Sequence, residues 1–266
     1  MNEGSIDARP GTALVTGASV GIGRELARIL AREGHDLVIV ARDAERLDAL
    51  ADELRQRHGV SVRVIAKDLA RPGAASALHR ELAAAAVTLE VLVNNAGIGA
   101  AGAFAKTPLP RDLELMQLNM VALTELTKLV LGEMVERGRG RILNVASTAA
   151  FQPGPYMATY YASKAYVLSF SEALAAELEG KGVSVTALCP GPTRTEFQRR
   201  AGLHDSAFAM MGMMDPGPVA EAGYRAMRAG RRLAIPGLRN RLGAFLVRLT
   251  PRALVTRIVR GLQRRR

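Results

Sequence analysis

The sequence predicts an α/β protein with one doubly wound parallel sheet that is covered by helices on both faces. Short apolar runs alternate along the chain with longer segments of helical periodicity, which is typical of repeated βαβ units. Apart from the alternating run Val60–Ala66, the runs are continuous rather than alternating in apolar residues, as expected for strands that are buried on both faces. The chain has 266 residues, of which 48% are hydrophobic, enough for one large core.

Strands and helices are assigned from these patterns in chain order. Apolar residues at helical spacing follow the first predicted strand from Ile22 to Leu30, and the second from Leu47 to Leu54. Two longer helices are predicted at Arg111–Arg137 and Tyr160–Glu179. The six predicted strands are Thr12–Thr16, Asp36–Ala41, Val60–Ala66, Leu89–Val93, Arg141–Val145 and Val183–Leu188.

Composition indicates the cellular compartment. The single cysteine, Cys189, excludes an internal disulfide and favours a reducing environment. No apolar run approaches the length of a membrane-spanning helix, and the first eleven residues lack the apolar stretch of a signal peptide. We therefore expect a cytoplasmic protein, with peripheral membrane contact as the alternative.

The net charge of +11 is concentrated at one end of the chain. Residues 222–266 contain 13 arginines and no Lys, Asp or Glu, whereas residues 1–221 are close to neutral. A nucleic-acid-binding body is disfavoured, and Phe245 is the only aromatic residue in the basic tail. We expect no nucleic-acid partner and no metal site.

Glycines mark the turn between the first strand and the first helix, in the sequence TGASVGIG at residues 16–23. Glycine there permits a tight turn and lets backbone N–H groups approach a pyrophosphate at the helix N-terminus. The second strand ends at Arg42 with no carboxylate at its tip. A guanidinium at this position can bind a ribose 2′-phosphate, so we expect NADP(H) to be preferred over NAD(H), unless Asp43 neutralises Arg42.

Two further strand ends complete the expected cofactor cleft, because ligands of open α/β sheets lie at the carboxyl ends of strands. The third strand is followed by Asp68 and Leu69. The fourth is followed by Asn95, which can tie neighbouring strands together, and by the small residues Ala96 and Gly97. Each of these residues, taken alone, is explained equally well as a residue that favours turns.

Catalytic candidates follow the fifth strand. Ser147 stands at its end, and Tyr160 and Lys164 lie four residues apart at the start of a helix, on one face. An ammonium beside a phenol favours the phenolate, so Lys164 is expected to lower the pKa of Tyr160 into the range of a general acid-base catalyst. The serine hydroxyl can hold a substrate carbonyl oxygen.

These motifs together resemble the short-chain dehydrogenase/reductase family, in the subgroup with TGxxxGxG and YxxxK motifs, over about residues 10–235. The resemblance implies a Rossmann-type sheet of about seven strands and NAD(P)-dependent carbonyl or alcohol chemistry. It implies that Tyr160 is the acid-base residue and that Lys164 binds the nicotinamide ribose. It further implies that Ser147 orients the substrate and that Asn119 supports a proton relay. The implied cofactor positions are Gly17, Ser19, Gly21, Ile22, Pro190, Gly191, Thr193 and Thr195.

The expected function is that of an NADP-dependent oxidoreductase that transfers a hydride between the cofactor and a carbonyl or secondary alcohol. The alternative is a catalytically silent cofactor-binding or redox-sensing protein whose tail binds a membrane or a partner. The complete set of catalytic residues favours the enzyme. The resemblance also suggests a homodimer or homotetramer.

Residues 1–236 are predicted to form the catalytic domain, with a substrate lid at about 196–218. The lid is rich in methionine, so it is either a mobile cover over an apolar substrate of acyl, steroid or terpenoid type, or a packed element. Its apolar residues are Phe197, Leu203, Phe208, Met210, Met211, Met213 and Met214.

Residues 237–266 are predicted to be a basic extension of two amphipathic helices separated by Pro251. Such helices attach to an anionic membrane surface or pack on the protein body or on a second subunit. We favour packing on protein.

Overall fold

A computed structural model of the chain describes residues 10–202 and 212–263. Its centre is a seven-stranded sheet in the order β3-β2-β1-β4-β5-β6-β7, in which every neighbouring pair is parallel. This confirms the predicted fold class. The strands are β1 (Thr12–Thr16), β2 (Leu37–Ala41), β3 (Val62–Ala66), β4 (Leu89–Asn94), β5 (Gly140–Val145), β6 (Val183–Leu188) and β7 (Leu233–Ala234).

Helices connect the strands and cover the sheet. In the described residues they are α1 (Gly21–Arg32), α2 (Ala44–His58), α3 (Ala74–Ala84), α4 (Leu109–Met116), α5 (Leu123–Glu136), α6 (Ala158–Glu177), α7 (Phe197–Arg200), α8 (Pro216–Arg228), α9 (Leu238–Leu249) and α10 (Arg252–Gln263). Short 3₁₀ turns lie at Phe104–Lys106 and Thr148–Phe151.

Two core layers enclose the sheet, as the continuously apolar strands predict. Successive residues of β1 point to opposite faces, so that Val15 packs with α1, α2 and α8, and Leu14 packs with α3, α5 and α6. Both side chains are fully buried. The chain order reverses between β1 and β4, and this switch point opens a crevice at the carboxyl ends of the strands.

A π-helical turn at Gln117–Ala122 interrupts the long helix that was predicted at Arg111–Arg137. The helix begins earlier than expected, at Leu109, and the segments α4 and α5 flank the π turn. Such turns are rare and often occur at functional sites. Here the turn contains Asn119, which is described with the site below.

Buried polar side chains link the central strands beneath the crevice. Asn94 donates to Asn144 at 2.9 Å and to Thr127 at 3.0 Å, and Asn144 donates to Ser171 on α6 at 2.9 Å. All four side chains are almost completely buried. This network fixes β4, β5, α5 and α6 relative to one another, because a buried polar group that loses its partner is costly.

The two C-terminal helices pack on the body of the protein. Val255 and Val259 of α10 join a cluster with Met157 and Tyr161, and Ala244 of α9 is also buried. The tail therefore covers part of the protein surface, as favoured from the sequence. Among the described residues, no helix is both long enough and apolar enough to cross a membrane.

Candidate active site

A cleft with a volume of about 490 Å³ lies at the carboxyl ends of the strands. Every site residue proposed from the sequence lines this cleft, with the exception of Asn119. Because the residues come from six strand ends and from α6, the parallel sheet is what brings them together.

The glycine turn after β1 allows close packing. Gly17 has a φ of +67°, and a Cβ atom there would lie 2.7 Å from Nδ2 of Asn95. A Cβ atom on Gly23 would clash with the same atom. Val20 precedes α1 without a side-chain cap, so no side chain at the cap accepts from the first N–H groups of this helix, whose residues Gly21 and Ile22 line the cleft.

Asn95 ties the turn after β4 to the turn after β1. Its Nδ2 donates to the carbonyl oxygens of Thr16 at 2.9 Å and Gly17 at 3.1 Å. The hydroxyl of Thr16 in turn accepts from the backbone N–H groups of Asn95 and Ala96, both at 3.0 Å. These bonds hold the cleft floor in a fixed shape.

Arg42 reaches the cleft from the end of β2. Its side chain is 53% exposed, and its guanidinium lies 3.8 Å from the carboxylate of Glu114 on α4. Asp43 does not pair with Arg42. Instead it caps α2 by accepting from the backbone N–H of Arg46 at 3.1 Å, and it forms an ion pair with the Arg46 side chain.

Asp68 and the small residues after β4 complete the wall beside Arg42. Asp68 accepts from the backbone N–H of Ala70 at 3.1 Å, and Leu69 is buried beneath it. A Cβ atom on Gly97 would lie 3.2 Å from Oδ1 of Asn119 and 3.5 Å from Nζ of Lys164. A larger residue would require Asn119 to shift by a few tenths of an ångström, whereas its contact with Lys164 would be an ordinary van der Waals contact.

Ser147 and Tyr160 face each other across the floor of the cleft. Ser147 lies two residues after the end of β5 and caps the following 3₁₀ turn by accepting from the N–H of Ala149 at 3.1 Å. Its hydroxyl also interacts with the phenol of Tyr160, which lies near the start of α6 and is partly buried. A substrate carbonyl oxygen placed between these two hydroxyls would contact both.

Lys164 lies one helical turn after Tyr160. Its side chain is only 6% exposed, and its ammonium donates to the carbonyl oxygen of Val145 at 2.9 Å. The Nζ atom is 5.8 Å from the centre of the Tyr160 ring. The hydrogen bond to β5 holds the lysine beside the phenol.

The pKa directions differ from the sequence prediction. Burial raises the pKa of Tyr160 above its ordinary value, and the hydroxyl of Ser147 offsets this only in part. Burial also lowers the pKa of Lys164 to about 8. The prediction that Lys164 lowers the pKa of Tyr160 is therefore wrong for the protein alone, because desolvation disfavours both charged forms.

Asn119 lies behind the cleft and is almost completely buried. Its side chain pairs with the backbone of Ile98, accepting from the N–H and donating to the carbonyl, both at 3.0 Å. It also donates to the hydroxyl of Ser163 at 3.1 Å. The π turn positions this side chain so that it joins the chain after β4 to α6.

The loop after β6 forms the opposite wall. Pro190, Gly191, Thr193 and Thr195 all line the cleft. The hydroxyl of Thr195 accepts from the N–H of Phe197 at 3.2 Å, and the Gln198 side chain donates to the Thr193 carbonyl. These bonds hold the loop in a compact turn over the glycine-rich segment.

The residues of the predicted lid lie in different environments. Phe197 lines the cleft, with its ring centre 5.2 Å from that of Tyr160. Met214 instead packs against the core, and its backbone bridges to Thr193, so for Met214 the packed alternative is correct. The predicted lid residues Leu203, Phe208, Met210 and Met211 lie outside the described residues.

Gln263 also reaches the cleft, which the sequence did not indicate. Its side chain is buried on α10 and donates to the hydroxyl of Tyr161 at 2.8 Å. Tyr161 and Met157 line the same end of the cleft. The contact spans 102 positions of the chain, so no local pattern could have revealed it.

Comparison with known proteins identifies the family. The family described as short chain dehydrogenase matches residues 11–205. Ketoacyl reductase HetN from a Nostoc strain is 34% identical over 217 residues, which is 82% of this chain and 75% of that protein. A very-long-chain 3-oxoacyl-CoA reductase from Phaeosphaeria nodorum is 36% identical over 65% of this chain, which spans only 52% of that relative.

Solved structures agree over a larger share of the chain. A short-chain dehydrogenase from Sphingobium yanoikuyae in complex with NADPH is 38% identical, with a TM-score of 0.81, over 89% of this chain and 92% of that one. A bulky-bulky ketone specific alcohol dehydrogenase from Comamonas testosteroni is 33% identical, with a TM-score of 0.77, over 91% of this chain and 94% of that one. The chain is an oxidoreductase of CH–OH and C=O groups that uses a nicotinamide cofactor, and it belongs to the short-chain dehydrogenase/reductase family.

Proposed function

We propose that the protein is an NADP(H)-dependent reductase of an apolar ketone or acyl carbonyl compound. The observation that carries this proposal is the single cleft that holds Arg42 at one end and Ser147, Tyr160 and Lys164 at the other. The two groups of residues come from opposite halves of the sheet, so one extended ligand can touch both.

The residues of the cofactor half fit a dinucleotide phosphate. The uncapped N-terminus of α1 offers backbone donors to a pyrophosphate, and Gly17 and Gly21 leave room for it. Arg42 is exposed and carries a guanidinium suited to a 2′-phosphate, while Asp43 is engaged in capping α2. Glu114 lies beside Arg42 at 3.8 Å, so phosphate binding has to compete with this ion pair.

The catalytic half fits proton donation to a carbonyl oxygen. A reduced nicotinamide bound in the cleft would supply the hydride. Tyr160 keeps its proton at neutral pH because burial raises its pKa, so the phenol is in the donor state that reduction requires. Ser147 orients the carbonyl oxygen toward Tyr160, and Lys164, whose pKa is lowered to about 8, stands next to the phenol. Asn119 holds the chain after β4 in place and thereby helps to fix the shape of the cleft.

The substrate half is apolar. Phe197, Met157 and Leu118 line it, together with the ring of Tyr161. The names of the relatives point the same way, since they describe reductases of ketoacyl and very-long-chain acyl substrates and a dehydrogenase for bulky ketones. We therefore propose an apolar substrate of acyl, steroid or terpenoid type.

We further propose that the protein is a cytoplasmic homo-oligomer. Leu109, Leu113 and Val121 are about half exposed or more on the surface of α4 and the π turn, and Tyr166 is exposed on α6. Such a patch is typical of a subunit contact. Light scattering after size exclusion gives the oligomeric mass, and a monomer at micromolar concentration contradicts this part of the proposal.

Cofactor titration tests the role of Arg42. The native protein should bind NADPH at least about tenfold more tightly than NADH, because a hydrogen bond to a charged group contributes about 1.5–3 kcal/mol. Arg42→Asp should remove this preference and leave NADH affinity almost unchanged. Arg63→Asp, on an exposed residue of the edge strand β3, is the matched control and should change neither affinity. Equal affinities of the native protein for both cofactors would refute the preference.

A further inference from the structure

Helix α9 carries a row of large apolar side chains that none of the described residues covers. In an ordinary surface helix such residues face the core, whereas here they face solvent. The five residues and their exposed fractions are Leu238 (82%), Leu242 (55%), Phe245 (57%), Leu246 (49%) and Leu249 (68%).

These residues form one continuous stripe. At 3.6 residues per turn they fall within an arc of about 100° around the helix axis. The opposite side of α9 is already used, since Ala244 is buried, Val247 packs against the cluster that contains Tyr161 and Val255, and Asn240 donates to the carbonyl oxygen of Pro236 at 2.7 Å. The body of the protein therefore accounts for the inner side of α9 and leaves the stripe unexplained.

Helix α10 extends the exposed apolar surface. Its inner side, with Val255, Val259 and Gln263, is buried on the body, while Leu254 is 45% and Ile258 is 52% exposed. The stripe of α9 together with Leu254 and Ile258 is called the tail face below. Because both helices are anchored through their inner sides, the tail face is held in position on the folded protein.

Arginines border the tail face. On α9, Arg239 lies on one side of the stripe, and Arg241 and Arg248 lie on the other. Arg252, Arg257 and Arg260 are exposed on α10. Within residues 10–202 and 212–263, none of these six arginines forms an ion pair, and the chain has no acidic residue after Glu221. Among the described residues, these arginines therefore add positive charge around the tail face without an acidic partner.

We propose that the tail face binds the surface of an anionic lipid bilayer, with the stripe among the upper acyl chains and the arginines at the headgroups. An apolar stripe flanked by cations is the pattern of helices that lie in the membrane interface. A second copy of the chain fits less well, because a symmetric contact through the tail face would bring the same arginines together. This docking does not depend on which substrate the cleft accepts.

The position of the tail face has a consequence for the cleft. Gln263, on the inner side of α10, lines the substrate end of the cleft through its contact with Tyr161. A bilayer bound to the outer side of the same helices therefore lies next to the end of the cleft that is lined by apolar residues.

Vesicle flotation with the full-length protein, without cofactor, tests the proposal. Vesicles of phosphatidylcholine alone are compared with vesicles of phosphatidylcholine mixed with phosphatidylglycerol. The protein should float with the mixed vesicles only, and it should be released when salt rises from about 0.1 M to about 1 M, where the screening length falls from about 10 Å to about 3 Å. Removal of one arginine (Arg248→Gln) should weaken binding about fivefold.

Paired variants distinguish vesicle binding through the tail face from nonspecific adsorption of the protein to vesicles. Leu242→Ser with Phe245→Ser should abolish flotation, whereas Phe104→Ser, which alters a side chain that is 66% exposed elsewhere, should not. Arg63→Gln with Arg80→Gln, on β3 and α3, is the charge control for Arg239→Gln with Arg248→Gln. Thermal melting and NADPH binding confirm that each variant is folded.

The outcomes are distinct. Selective, salt-sensitive flotation that only the tail-face variants lose supports the proposal. Failure of the native protein to float with either vesicle overturns it, as does equal binding to both vesicles. Loss of an oligomer in the tail-face variants, without any vesicle binding, shows that the occupant is a second copy and also overturns it.

Discussion

Replacing Lys164 with methionine is expected to stabilise the protein at neutral pH while it abolishes turnover. The lysine side chain is almost completely buried, and its ammonium donates to the Val145 carbonyl oxygen at 2.9 Å. Burial lowers its pKa from 10.5 to about 8, so the folded protein disfavours the charged form. Methionine fills a similar space with a flexible, uncharged side chain.

The size of the effect follows from the pKa. A fall from 10.5 to about 8 corresponds to a cost of about 3 kcal/mol in the free energy of unfolding at pH 7. Loss of the hydrogen bond to Val145 offsets about 1 kcal/mol of the gain. We therefore expect Lys164→Met to raise the free energy of unfolding by about 2 kcal/mol at pH 7, in the absence of cofactor.

The stability that Lys164→Met adds should vanish as the pH rises. Between pH 8 and 10.5 the unfolded lysine keeps a proton that the folded lysine has lost, so the native protein becomes more stable with rising pH in this window. The amount by which burial of Lys164 lowers the free energy of unfolding falls to about 2 kcal/mol at pH 9 and about 1 kcal/mol at pH 10. The variant and the native protein should then be equally stable near pH 10.

Urea unfolding at several pH values, followed by far-ultraviolet circular dichroism, measures this difference. Lys128→Met, on an exposed residue of α5, is the matched control and should change stability by less than about 0.5 kcal/mol at every pH. A variant that is less stable than the native protein at pH 7, or a difference that does not depend on pH, would refute the reasoning.

Two further predictions concern stability. Asn144→Ala should cost about 1–3 kcal/mol in urea unfolding, because Asn94 and Ser171 lose a buried partner, and a cost below about 0.5 kcal/mol would contradict the importance of the network. Truncation after Pro236 should lower the melting temperature by at least about 5 °C, because it uncovers Met157 and Tyr161, whereas Leu238→Ser, on an exposed residue, should leave it unchanged. An unaltered melting temperature of the truncated protein would show that the tail packing contributes nothing.

The strands could be predicted well from the sequence. Residues 12–16 and 183–188 were assigned with the bounds that the structure shows, because runs rich in apolar residues that are followed closely by Gly17 or Pro190 leave little choice. Helix α3 was missed, since it is rich in alanine and only Ala75, Leu78 and Leu82 are buried. The parallel sheet then placed the motif residues at one edge, as expected.

Features that depend on distant contacts could not be predicted. The π turn contains Asn119, whose side chain forms hydrogen bonds with the backbone of Ile98. That partner lies 21 residues away in the chain, so the local sequence does not reveal the contact. The upward shift in the pKa of Tyr160 reflects burial that the spacing of Tyr160 and Lys164 does not reveal. The sequence showed an amphipathic tail, but only the fold shows that its inner and outer sides meet different surroundings.

The most direct test of the proposed chemistry is the rate of NADPH oxidation by Tyr160→Phe with a panel of apolar ketones. The variant should bind NADPH as the native protein does and reduce the ketone about 10²–10⁴-fold more slowly, because only the proton donor is removed. Tyr161→Phe, which alters the neighbouring tyrosine, is the matched control and should stay within a few-fold of the native rate. A loss of less than about tenfold in Tyr160→Phe would contradict the assignment of Tyr160 as the proton donor.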